Sequence, residues 1–122
     1  MADYTPSQAP LWAIKYPGGI PVDFDENTIA THAIVAAPGA GRRVRLLYWH
    51  LYIAGAQGLI FKSGTDDIIG ADHKFNGEAY WTSGAHEGFR IEADTNAALQ
   101  VALDAALQVK GFFLYQLVTV RT

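Results

Sequence analysis

The chain has 122 residues, enough for one domain, and half of them are hydrophobic, which excludes a disordered polar chain. It contains no cysteine, which excludes disulfide scaffolds, zinc fingers, iron–sulfur clusters and thiol nucleophiles. Its net charge of −3 argues against a nucleic-acid footprint, and no apolar run approaches a membrane span.

Residues 1–28 carry Lys15 against Asp3, Asp23, Asp25 and Glu26, which accounts for the whole net charge. Pro6, Pro10, Pro17 and Pro21 also fall here, so the stretch is expected to be extended rather than helical. Its apolar residues need a surface to lie on, so 1–28 reads as a docking arm with Trp12, Ile14, Tyr16 and Phe24 as anchors. The surface is its own domain, a neighbouring subunit or another protein. Residues 29–122 are then the globular domain.

From Thr28 onward the pattern is short apolar runs broken by glycine. Thr28 to Ala37 is β-branched and ends in Pro38-Gly39-Ala40-Gly41. Arg42 to Ala54 is the longest strand candidate, and Leu59 to Lys62 begins another. Ser63 to Asp67 reads as a turn, followed by Ile68-Ile69-Gly70. Residues 71–86 show no regular pattern, with Phe75, Tyr80 and Trp81 as anchors. Gly88 to Glu92 alternates, Asp94-Thr95-Asn96 is a turn, and Gly111 to Val120 is a final strand. Residues 97–107 fit both periods: Leu99, Val101 and Leu103 alternate, while Leu99, Leu103 and Leu107 sit four apart. The flanking strands favour a strand through Leu103. Strands at this spacing, separated by turn signals, predict an all-β sandwich or barrel.

Two strands look apolar on both faces. In 44–53 one face carries Val44, Leu46, Tyr48, His50 and Tyr52, the other Arg45, Leu47, Trp49, Leu51 and Ile53. In the last strand Phe112, Leu114, Gln116 and Val118 oppose Phe113, Tyr115, Leu117 and Thr119. A surface sheet needs only one apolar face, so a second covered face predicts a homo-oligomer. Its interface is expected at Tyr48, His50, Tyr52, Phe113, Tyr115 and Leu117.

No catalytic or metal motif emerges. His32, His50, His73 and His86 are never spaced as a paired ligand set, and no serine lies in a nucleophile elbow. Asp66, Asp67 and Asp72 lack the alternation of a calcium loop. Arg42, Arg43 and Arg45 read as a solvated strand end or as partners of carboxylates on the arm or another chain. Tyr80 and Trp81 read as loop anchors, or as rings that stack on a sugar. The expectation is a protein without enzyme activity, cofactor or metal, whose partner is itself or another protein.

Gly41-Arg42-Arg43-Val44-Arg45-Leu46-Leu47, Phe61-Lys62-Ser63-Gly64-Thr65, the aromatic pair at 80–81, Ala98-Leu99-Gln100-Val101 and Gly111-Phe112-Phe113-Leu114-Tyr115 follow one another along residues 29–120. In this the chain resembles small bacteriophage virion proteins with an antiparallel jelly-roll β-sandwich. The resemblance implies a structural role in the virion, as a capsid decoration, head-spike or fibre protein on the head or in the tail. It also implies a trimer that binds the major capsid protein or another virion component. A tail-associated carbohydrate- or receptor-binding module is the alternative it allows.

Overall fold

Residues 18–82 and 91–120 are described by the computed structural model, the side chains of 69–71 excepted. All regular elements among them are strands: β1 (Ile20–Glu26), β2 (Ala30–Val35), β3 (Arg42–Ile53), β4 (Gln57–Ser63), β5 (Asp66–Phe75), β6 (Ala79–Thr82), β7 (Ile91–Glu92), β8 (Leu99–Leu103) and β9 (Val109–Thr119). They form two antiparallel sheets. The first runs β1-β9-β3-β6, with β7 beside β3, and the second runs β2-β8-β4-β5. The expected β-sandwich is therefore present, and residues 99–103 form a strand.

The sandwich begins at Ile20, ahead of the boundary expected at residue 28. β1 pairs with β9 from Ile20↔Tyr115 to Glu26↔Val109. Pro21 fits there because β1 is an edge strand, where a missing backbone donor costs no ladder bond. Phe24, expected to anchor an arm, is a core residue at 5 % exposure.

The core is largely aromatic. Phe24 meets Phe113 edge-on at 5.4 Å, and Phe113 meets Phe61 edge-on at 6.0 Å. Phe61 lies 5.4 Å from Trp49, which meets Trp81 at 5.0 Å. This chain of rings crosses from one sheet to the other. Val44, Leu51, Ile53, Leu59, Leu99, Val101 and Val109 fill the space around it and are fully buried. Each ring pair adds about 0.5–1.5 kcal/mol to the burial of its area.

Two histidines close the long sides of the sandwich. His32 on β2 meets Glu26 of β1 at 3.4 Å and Phe24 edge-on at 6.1 Å. His73 on β5 stacks on Trp81 of β6 at 5.1 Å and 20°. Polar contacts tie the strand connections together at one end. The Gly58 N–H donates to Asp104 Oδ1, and Gln57 Nε2 donates to the Leu107 carbonyl at 3.0 Å. At the opposite end the Asp94 N–H donates to Ser63 Oγ at 2.8 Å.

Candidate interaction face

The functional surface depends on a bulge in β3. Leu46 opposes Tyr115, but Tyr48 opposes Leu114, so Leu47 is an extra residue against β9. One extra residue reverses the facing of everything beyond it. Val44 and Leu46 point into the core before the bulge, and Trp49, Leu51 and Ile53 point into it afterwards. The strand that looks apolar on both faces thus has a single inward face that changes parity at Leu47.

Cross-strand partners share a face, and this sorts the expected interface residues. Tyr48 faces outward with Leu114, His50 with Phe112 and Thr82, and Tyr52 with Lys110 and Tyr80. Phe113, Tyr115 and Leu117 belong to the opposite side. Phe113 is fully buried in the core, Tyr115 packs against it, and Leu117 opposes Val44 with 36 % exposure. The expected interface mixes two faces because strict alternation across 44–53 makes no allowance for the bulge. Tyr48, His50 and Tyr52 remain as surface candidates, and Phe112 joins them.

Tyr80 and Trp81 separate in the same way. They lie in β6 rather than in a loop, so consecutive side chains point to opposite sides. Trp81 is in the core at 8 % exposure, whereas Tyr80 is 71 % exposed. Trp12, Ile14 and Tyr16 lie outside the described residues.

The outward face is an aromatic surface. Tyr48 lies 5.9 Å from Phe112, and Phe112 lies 6.4 Å from His50. Tyr80 stacks on His50 at 6.1 Å and 20°, and contacts the Tyr52 ring at 5.3 Å. Leu114 sits on this face yet is fully buried, and it lies outside the core cluster. Gly19 covers it so closely that a Cβ there would come within 2.7 Å of Leu114 Cγ. The backbone leading into β1 therefore crosses this face.

Two arginines of the basic cluster, Arg43 and Arg45, meet carboxylates within the chain. Arg45 Nε donates to Glu92 Oε1 at 3.1 Å, and Arg43 lies 3.6 Å from Glu92 and 4.0 Å from Asp94. These carboxylates come from β7 and the turn after it, not from residues 1–28. Among the described residues no group of three or more His, Asp or Glu side chains is arranged to hold a metal, and no helix is long and apolar enough to cross a membrane.

Tyr52 donates its hydroxyl to Glu78 Oε2 at 2.8 Å. That bond raises the phenol above its ordinary value of 10.0, with desolvation and the Glu78 charge acting in the same direction. The neutral phenol is the form the fold favours. Its stabilising contribution is complete below pH 10 and is lost as pH rises through the higher folded value. Glu78→Gln removes the charge that holds the proton. Titration of phenolate absorbance should show one tyrosine moving back down toward 10 in that variant.

Comparison with protein-family models, with curated proteins and with solved structures returns no match.

Proposed function

We propose that this chain is a non-enzymatic structural protein of a bacteriophage virion, a jelly roll that assembles as a homotrimer. Residues ahead of Gly18, with Trp12, Ile14 and Tyr16 among them, fasten it to the major capsid protein or another virion component. The pairing of strands supports the jelly-roll reading. β4 pairs with β5, β3 with β6 and β7, β2 with β8, and β1 with β9. This is the pairing expected if the two halves of the chain run antiparallel as one long ribbon wound into a double Greek key. Fold alone does not carry function, so the assembly reading rests on the surface.

The observation that carries it is the pair Tyr48 and Phe112, rings 5.9 Å apart on the outward face and only half-buried in the single chain. Leu114 on this face is already covered by the chain's own Gly19, but neighbouring rings left partly open on the outward side of a sheet suit packing against another chain. Copies associate through this β1–β9 side, and such a module stabilises an assembled lattice by binding it better than free subunits.

Light scattering on the full chain after size exclusion tests the association. The expected mass is three times the 13.3 kDa of one chain, and a mass of one chain overturns the trimer. The attachment is tested by deletion. Removing residues 2–17 should leave β1 and the fold intact and abolish binding to phage particles. Removing residues 2–27 takes Phe24 out of the core and should unfold the protein.

A further inference from the structure

We propose that the β6 margin of the first sheet is a binding ledge for a single pyranose ring of a glycan, with Tyr80 as its platform. This margin is the edge opposite β1, so in the proposed trimer it lies away from the packed side. The inference does not depend on that trimer.

An aromatic ring exposed singly on a protein surface needs no explanation. Tyr80 is not single. It is 71 % exposed, yet it is held on two sides, by the His50 ring stacked at 20° and by the Tyr52 ring at 5.3 Å. Tyr52 is itself fixed through its hydroxyl, which donates to Glu78 at 2.8 Å. The result is a ring presented in one orientation, with little freedom left to lose when a ligand arrives.

The polar groups beside it have complementary roles. Tyr52 uses Oε2 of Glu78, and the carboxylate retains acceptor capacity for ligand hydroxyls. Lys110, the cross-strand partner of Tyr52 on the side away from Tyr80, is exposed and donates only, one strand beyond the platform. A flat apolar platform with an acceptor beside it and a donor one strand further suits a pyranose. Such a ring has an apolar face of C–H groups and a rim of hydroxyls that both donate and accept. The Glu78 carboxylate at the ledge disfavours an acidic sugar. A shallow ledge contacting one ring gives weak affinity, with a dissociation constant of about 1–10 mM.

The test is an NMR titration of the full chain with methyl α-glucopyranoside, methyl β-galactopyranoside and methyl N-acetyl-β-glucosaminide in turn. At least one should shift the ring resonances of Tyr80, Tyr52 and His50 together. Tyr80→Ala should abolish the shifts, and its exposure makes it a variant that folds, as the amide spectrum will show. Tyr80→Phe keeps the platform and should retain most of the binding, while Glu78→Gln should weaken it several-fold. If none of the three sugars moves these rings, or if the shifts survive Tyr80→Ala, the ledge is wrong. The outcome reads separately from the solution mass. A monomer that binds sugar overturns the trimer alone, and a trimer that binds none overturns the ledge alone.

Discussion

Alanine in place of Gly111 should cost about 3 kcal/mol or more, the sum of backbone strain and overpacking. Gly111 is in β9, the strand between β1 and β3, and it opposes both Phe24 and Leu51. Its φ of +157° belongs to a region that L side chains rarely adopt. A Cβ at this position would land on the His50 carbonyl oxygen and crowd the Leu51 Cα, both backbone atoms of the neighbouring strand. Backbone inside a ladder has no rotamer to escape into, so the strands must separate. The measurement is the denaturant midpoint at unchanged slope. Gly77→Ala is the control: a Cβ there meets nothing within 4 Å, and the change should stay within about 0.5 kcal/mol. Equal effects at the two positions would contradict the close approach of β9 and β3.

Phe113→Ala should destabilise the fold by about 3–5 kcal/mol, a large fraction of the 5–15 kcal/mol typical of a domain. The ring is fully buried and links Phe24 on one side to Phe61 on the other. Removing it leaves a cavity in the middle of the aromatic chain that joins the two sheets. The effect also separates two roles. A core residue changes the unfolding midpoint and leaves the mass of the folded protein unchanged. An interface residue changes the mass and its concentration dependence first. A variant that stays as stable as the parent but falls apart into single chains would return Phe113 to the interface.

Much of this architecture is legible in the residues. β3 and β9 announce themselves through β-branched and aromatic runs, and the turn at Asp94-Thr95-Asn96 is marked by its side chains, with Asn96 at a φ of +55°. The edges are not legible. β1 carries Pro21 and alternating acids, the features of a strand paired on one side only, and these read equally well as a solvated arm. β5 has Asp72, His73 and Lys74 in its second half, so its pattern shows no apolar face until His73 is seen stacked on Trp81. β6 has only four residues, too few for alternation to be recognised. The largest error has one cause. An uninterrupted alternation over 44–53 puts the wrong residues together, because the extra residue at Leu47 reverses it. A reader could have found the signal in Arg45-Leu46-Leu47-Tyr48-Trp49, where two leucines and two aromatics stand in pairs instead of alternating with polar residues. Of the candidate site, Tyr48, His50 and Tyr52 are legible as aromatic surface, and Tyr80 only as one of a pair that anchors a loop or stacks on a sugar. Their separation from Phe113 and Trp81 is not.

That bulge is the central claim, because it divides the aromatic strand into a core face and an outward face. Cross-strand proton NOEs between β3 and β9 test it most directly. The account predicts neighbouring pairs Leu46 with Tyr115 and Tyr48 with Leu114, followed by Trp49 with Phe113 and His50 with Phe112. An uninterrupted ladder, with Leu47 opposite Leu114 and Tyr48 opposite Phe113, would put Tyr48, His50 and Tyr52 in the core and contradict it.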